Sequence, residues 1–267
     1  MDLDGTLVDD DDVISEETVT LIKKLRNLGV EFTIATGRLL SAITHHADKL
    51  GIKIPLITLD GTMINRYPGE PSIFEAYLPI KYVKRAINLA DKFLLNVALC
   101  HDSAIYYTEE NSVLPKVLNK FGATFKEVSS YENYLNETLE VVICGDSKER
   151  VKYVTNKMSF PYTFGVRNSF YKSRQYGGTY YLELRKMGIS KADGMKLLQK
   201  HLKIKMKETA VIGDWYNDKS LFETDAVKIA VANAVPEIKK MADFVTNRTN
   251  NENGVAEFLS MLYKAKK

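Results

Sequence analysis

Cysteine is scarce in this chain: 267 residues hold two, Cys100 and Cys144. Both lie in apolar stretches without C-x-x-C spacing, so they read as reduced core residues, and neither a disulfide framework nor a thiolate metal site is expected. Long apolar runs are missing as well. None approaches the roughly 20 residues of a membrane span, and the amino terminus lacks the basic-then-apolar order of a signal peptide. A soluble cytoplasmic protein with no membrane partner is therefore expected. An excess of either charge is also absent. Thirty-seven Lys and Arg against 34 Asp and Glu give a formal +3, scattered rather than blocked, which removes the electrostatic footprint of a nucleic-acid binder. What remains is an ordinary globular composition, 45% apolar and 27% charged, on a chain long enough for one large or two modest domains. The oligomeric state leaves no mark in it.

Periodicity organises the first third. A helical pattern from Ser15 to Leu28 stops at Gly29 and gives way to the apolar run "VEFTIA"; "LLSAITHHADKLG" then reads as helix and "IPLITL" as strand. Strands that are apolar on both faces, alternating with helices, argue for a parallel sheet with crossover helices. The same grammar returns after residue 187: "KADGMKLLQKHL" helical, "ETAVIG" strand, "SLFETD" helical, "VKIAVA" strand, "VPEIKKMAD" helical with Pro236 in its first turn, "DFVT" strand, and a closing helix. Between these blocks, residues 80–186 mix helices at "KYVKRAINLADKFL", near Lys116 and from Lys148 with strands such as "LEVVICG" and Tyr-rich "GTYYLELR". The expectation is an α/β core with a mainly parallel sheet, 1–79 and 187–267, carrying an inserted α+β domain at 80–186.

The tetrapeptide Leu-Asp-Gly-Thr occurs twice, at 3–6 and 59–62. The first copy follows Asp2, so Asp2 and Asp4 stand two residues apart, on one side of an extended backbone. Such a pair suits phosphoryl transfer: one ionised carboxylate attacks phosphorus while the other donates to the leaving oxygen and then helps activate water. Gly5 lets backbone N–H groups approach phosphoryl oxygens. The second copy has Thr58 in place of the preceding acid, so it lacks the pair; Asp60 and Gly61 end a strand and read equally as a wall of the crevice or as a plain turn. Thr36 and Gly37 lie between a strand and a helix, where a hydroxyl and orphan N–H groups serve an anion or simply cap the helix.

In "GDWYND" Asp214 lies just beyond a strand, with Asn217 and Asp218 in the next turn. With Asp2 they supply the few carboxylates that Mg2+ wants. Lys191 follows Ser190 at a helix start whose Ser190 and Asp193 match a capping box; a cation there opposes the helix dipole unless a bound anion offsets it.

Asp2-Leu3-Asp4-Gly5-Thr6, then Thr36-Gly37, then Lys191, then Gly213-Asp214 with Asn217-Asp218, in that order, resembles the four motifs of the haloacid dehalogenase superfamily. The insertion of about 100 residues between the second and third motifs, and the stretch "NAVPEIKKMADFVTNRTNNENGVAEFL", resemble the Cof-type subfamily of sugar-phosphate phosphatases. The resemblance implies a Rossmann-like three-layer core with a mobile cap that chooses the substrate, Mg2+ as cofactor, a small phosphorylated metabolite as partner, and hydrolysis through an aspartyl-phosphate. It makes Asp2 the nucleophile and a metal ligand, and Asp4 the general acid and base that also lends its carbonyl to the metal. Asp214 and Asp218 complete the metal set, with Asn217 as ligand, neighbour or phosphate contact. Thr36, Gly37 and Lys191 hold the phosphoryl group, with Gly5, Asp60 and Gly61 beside it. Phosphomutase-type transfer and non-catalytic binding of a phosphometabolite are the alternatives; the intact Asp2, Asp4, Lys191 and Asp214 argue against a mere binder.

Three features depart from the family pattern. Asp60-Gly61-Thr62 replaces the usual Asn-Gly-Ala, and Trp215 and Tyr216 are bulkier than the residues common at those positions. Only Met1 precedes the nucleophile, where similar proteins carry a buried strand of about five residues. Unpaired groups on the neighbouring strands cost on the order of 1 to 3 kcal/mol each, so a native start upstream of Met1 is expected. Tyr176, Gly177, Gly178 and Thr179 are candidate substrate contacts of the inserted domain. His45 and His46 are expected to diverge on the surface and, like His101, carry no role, while Asp9 to Asp12 read as a solvated loop rather than as extra metal ligands.

Overall fold

The computed structural model describes residues 1–67, 69, 71–118, 123–173 and 178–267; Tyr176 and Gly177 lie outside the described residues. The chain divides into two compact units, one of Met1–Gly37, Ile43–Ile73 and Ser190–Lys267, the other of Arg38–Ala42 and Phe74–Ile189.

The first unit is built around a hydrogen-bonded layer. Strands β10 (Ala210–Gly213), β11 (Val227–Ala230) and β12 (Phe244–Val245) run parallel. Beside β10, Asp2 N donates to Ile212 O at 2.9 Å, and Met1 O accepts from Ala35 N at 2.8 Å. Residues 33–36 in turn bond β1 (Leu56–Thr58), with Ile57 N on Ile34 O and Thr36 N on Ile57 O, both at 2.9 Å. Asp2 therefore sits centrally in the layer. The run "VEFTIA" enters it only at its end, where Ala35 bridges Ile57 in parallel. β1 then turns back antiparallel on β2 (Met63–Asn65), so the second Leu-Asp-Gly-Thr is a hairpin loop rather than the end of an isolated parallel strand.

Helices cover this layer. In α1 (Glu16–Arg26) the Ser15 hydroxyl accepts from Thr18 N at 3.2 Å, acids open and bases close the helix, and Thr18, Leu21, Ile22 and Leu25 turn inward. It packs on α9 (Gly254–Lys266). The stretch at 39–51 is not one helix: a short turn at Leu40–Ala42 precedes α2 (Thr44–Leu50), the break falling at β-branched Ile43 and Thr44, which give weak support to a helix interior. α6 (Lys191–Leu202), capped by Ser190, packs on β1, β2 and α7 (Lys219–Phe222), while α8 (Pro236–Met241) lies on β11. Among the described residues no helix is long and apolar enough to cross a membrane.

The long stretch of the second unit begins at β3 (Phe74–Glu75), which is not a strand of this unit's six-stranded sheet. That sheet has the order β6-β5-β4-β7-β9-β8, from β4 (Asn96–Cys100), β5 (Ile105–Tyr107), β6 (Phe125–Glu127), β7 (Glu140–Gly145), β8 (Val166–Lys172) and β9 (Tyr180–Lys186). All neighbours are antiparallel except β5 and β6. A short α4 (Leu114–Val117) packs on β4. Val97, Leu99, Val141, Ile143, Leu182 and Leu184 join α3 (Ile80–Lys92) and α5 (Lys148–Lys157) in one apolar cluster. Alternation along the strands sends Glu140, Glu183 and Arg185 to the opposite face. There Arg185 pairs with Glu140 at 2.8 Å and Glu183 at 3.0 Å, and Tyr171 donates to Glu183 at 2.5 Å. Cys100 and Cys144 are free and buried, and burial lifts the Cys144 thiol to about 12, as expected of core cysteines.

Candidate active site

The first unit gathers residues from five separate stretches of sequence. Asp2 is placed by the ladder bond of its own N–H to β10, and its side chain is buried. The extended backbone ends at Leu3. There Thr6, Leu7 and Val8 all direct their N–H groups to the Leu3 carbonyl, so Asp4 opens a turn and stays half-buried rather than continuing a strand beside Asp2. Gly5 has φ +70, and a Cβ on it would fall 2.7 Å from Asp214 Oδ2. The turn therefore presses against Asp214 in a way that a side chain forbids. Thr6 and Asn233, to which the sequence assigns nothing, tie this turn down: Thr6 Oγ1 donates to Asp214 Oδ1 at 3.1 Å, and Asn233 Nδ2 to the Gly5 carbonyl at 2.7 Å. Thr6 stands inside the motif and was legible by position. Asn233 gave no signal.

Lys191, in the first turn of α6, has no exposed surface and donates to Asp2 Oδ1 at 2.6 Å and Asp218 Oδ1 at 2.7 Å, with Asp60 Oδ1 at 4.0 Å. Its own burial opposes the charge, yet Asp2 and Asp218 raise its pKa above the ordinary value, so it is a fixed cation. The other oxygen of Asp218 accepts from the N–H groups of Asp214 and Trp215 at 3.0 and 3.2 Å. Asp218 thus orients both the lysine and the turn that carries Asp214. Trp215 and Tyr216 keep 38% and 54% of their surface exposed, so they stand outward rather than filling this point.

The second copy of the tetrapeptide reaches the same place. Asp60 takes φ +53 and Gly61 φ +93. Asn217 Nδ2 donates to Asp60 Oδ1 at 3.1 Å, and a Cβ on Gly37 would lie 3.4 Å from that oxygen. Thr36, fully buried, accepts the Asp60 N–H on its carbonyl at 2.9 Å. A Cβ on Gly61 would collide with the Ser190 carbonyl, so only glycine lets this loop meet the start of α6. The fold thereby brings Asp2, Gly5, Thr36, Gly37, Asp60, Gly61, Lys191, Asp214, Asn217 and Asp218 into one neighbourhood.

Asp2, Asp214 and Asp218 each offer an oxygen within 4.8 Å of the others. Burial first and the Asp218 charge second lift Asp214 to about 6, against the pull of Thr6 and Lys191; the same two causes raise Asp2 well above the carboxylate range. Carboxylates crowded in this way, with oxygen donors only, fit a hard divalent ion of the Mg2+ type. One pH effect follows. With folded pKa values above the unfolded ones, the native state holds more protons, so the metal-free protein loses stability as pH rises from about 4 through about 6. In EDTA, Asp214→Asn should gain on wild type in urea-unfolding stability between pH 4 and pH 7; a constant difference counts against the crowding.

His46 departs from its expected surface position. It is 2% exposed, and the two histidine rings lie 3.8 Å apart rather than diverging. His101, in the second unit, binds the Tyr134 carbonyl at 2.9 Å, a structural contact.

The profile of the haloacid dehalogenase-like hydrolases matches residues 1–259. The chain is 25% identical over 265 residues to the 5-amino-6-(5-phospho-D-ribitylamino)uracil phosphatase YitU of Bacillus subtilis, covering 97% of this chain and 94% of the relative. It is 27% identical over 285 residues to the phosphatase YwpJ of the same organism, covering 98% of each. A haloacid dehalogenase-like hydrolase from Bacteroides thetaiotaomicron superimposes with a TM-score of 0.85 at 24% identity, covering 98% of this chain and 97% of that one. The order of the motifs, their convergence in space and these likenesses agree: the chain belongs to the haloacid dehalogenase-like hydrolases and is a phosphatase of the Cof type.

Proposed function

We propose that this chain is a Mg2+-dependent phosphomonoesterase for small phosphorylated metabolites, sugar phosphates first among them, working through an aspartyl-phosphate on Asp2, with residues 80–186 as the cap that chooses the substrate. The observation that carries the reading is the fully buried Lys191 held between Asp2 and Asp218 with Asp214 alongside. A purely structural lysine has no need of so many acids, whereas a site for a dianionic phosphoryl group and a cation does. The name of one relative, a phosphatase of a phosphorylated ribityl compound, supports a small polyhydroxylated substrate.

In this reading an Asp2 oxygen attacks phosphorus while the bond from phosphorus to the ester oxygen breaks, and Asp4 gives its proton to the departing alkoxide. Asp4, now ionised, takes a proton from water; that water attacks the acyl phosphate, releasing phosphate and restoring Asp2. Lys191 neutralises charge on the equatorial phosphoryl oxygens, and its burial makes that contact strong. The Thr36 hydroxyl and Gly37 N–H complete the cradle, and Asn217 holds Asp60 at its edge. Mg2+, held by Asp2, Asp214, Asp218 and the Asp4 carbonyl, would supply charge for the phosphoryl oxygens.

Phosphate release from p-nitrophenyl phosphate and a panel of hexose, pentose and nucleotide phosphates, with Mg2+ and with EDTA, tests this. Turnover that requires Mg2+ and is fastest on sugar phosphates is expected. Equal rates in EDTA, or no release from any ester, refute it.

A further inference from the structure

A second cluster of metal-type donors lies in the first unit, outside the carboxylate site. Asp12 sits in the loop after the catalytic turn, and His45 and His46 in the first turn of α2. Successive residues of a helix point about 100° apart, yet both imidazoles present Nε2 to the one Asp12 carboxylate: His46 Nε2 is 3.3 Å from Oδ1 and His45 Nε2 is 3.8 Å from Oδ2. One donor atom from each residue lies within 4.8 Å of the other two.

A tetrahedral ion with N and O ligands at about 2.0 to 2.2 Å has donor-to-donor edges of about 3.3 to 3.6 Å. The distance from His46 Nε2 to Asp12 Oδ1 already has that length, and His45 Nε2 lies 3.8 Å from the other oxygen of the same carboxylate, so a small turn of Asp12 brings one oxygen to both rings. The supports are in place without an ion. The Asp9 carboxylate accepts from the N–H groups of Asp11 and Val13, and Asp12 N donates to the Asp9 carbonyl, which shapes the loop. From α2, Lys49 donates to the Ile14 carbonyl at 2.8 Å and pairs with Glu16 at 2.9 Å, fixing helix to loop independently of the histidines. The His46 side chain is 3% exposed, whereas Asp12 and His45 keep 43% and 62%. One ligand is thus anchored in the core and the approach is open on the other side.

We propose that Asp12, His45 and His46 form a second metal site, for a four-coordinate borderline divalent ion such as Zn2+, with the fourth position taken by solvent. Imidazole nitrogens favour such ions, while the all-oxygen cluster at Asp2, Asp214 and Asp218 favours Mg2+, so the two sites sort metals by ligand chemistry. An ion here ties the loop that follows the catalytic turn to the helix that follows Thr36 and Gly37. The assignment stands independently of the phosphatase reading.

Calorimetric titration of the full chain with Zn2+ in excess Mg2+ tests it, together with the visible spectrum of the Co2+ form, which reports coordination geometry. One equivalent should bind, with a four-coordinate Co2+ spectrum. His45→Ala and Asp12→Asn, both at exposed positions, should weaken binding about 10-fold or more while Mg2+-dependent phosphate release is kept. No Zn2+ bound by the wild type overturns the assignment. Unchanged affinity in both variants does the same, as does binding that is lost in Asp214→Asn but kept in His45→Ala, which places the ion among the carboxylates.

Discussion

Asp2→Asn should lower phosphate release by about 10^4-fold or more, the scale on which removal of a covalent nucleophile is felt, and should leave the fold standing. The two effects separate because they have different physical origins. An amide cannot attack phosphorus, so the covalent route closes whatever the remaining residues do. Stability is another matter: the Asp2 carboxylate is buried beside Asp218 and Asp214, and burial and those charges hold its pKa well above the usual range. A neutral side chain of the same shape relieves that crowding, and Lys191 keeps Asp218 at 2.7 Å as its partner. The variant should therefore unfold in EDTA at a urea midpoint equal to or above that of the wild type at pH 7. Single-turnover assays with acid quench add a direct reading, since labelled phosphate should remain on wild-type protein and not on the variant. Equal turnover in both proteins would refute the nucleophilic role of Asp2.

The sequence made some of this legible and hid the rest for identifiable reasons. α6 begins where Ser190 and Lys191 place it, because a cap and an amphipathic run act locally. β10 and β11 were visible as apolar runs whose ends are buried, and β12 as the short Phe244-Val245 step at the edge of the sheet. β8 was invisible: Val166–Lys172 is an edge strand rich in polar residues and shows no apolar run. β2 spans only three residues and is defined by its pairing with β1. At the site, the motif order singled out Asp2, Lys191 and Asp214, which the fold brings together, whereas the pairing of Asp2 with Asp4 on one extended strand is broken by the turn that starts after Leu3. The second Leu-Asp-Gly-Thr could be placed near the crevice but not explained. That Gly61 meets the Ser190 carbonyl, and that Asn217 holds Asp60, are contacts across more than 100 residues of chain with no local signature. The same limit hid His46, which is buried and meets Asp12, a residue 34 positions away in the chain.

Lys191→Met should be the most destabilising single change at the site, by about 3 to 5 kcal/mol, the range for removing one partner of a buried ion pair. Methionine matches the length and fills the space, so packing is largely preserved and the loss is electrostatic. Without the ammonium, Asp2 and Asp218 face each other in a site from which water is excluded, and Asp218 must still hold the N–H groups of Asp214 and Trp215. Urea unfolding in EDTA at pH 7 reads the loss. Its origin is tested by lowering the pH: protonation of the crowded carboxylates should return much of the stability toward pH 5, whereas a packing defect is indifferent to pH. Adding Asp218→Asn to Lys191→Met should likewise restore stability, because the amide removes one of the two opposed charges while its oxygen still accepts from the turn. Activity should not return in either case, since the fixed cation that Lys191 sets against the phosphoryl oxygens in the transition state is then missing. A double variant no more stable than Lys191→Met alone would show that Lys191 holds the fold by some means other than pairing these two acids.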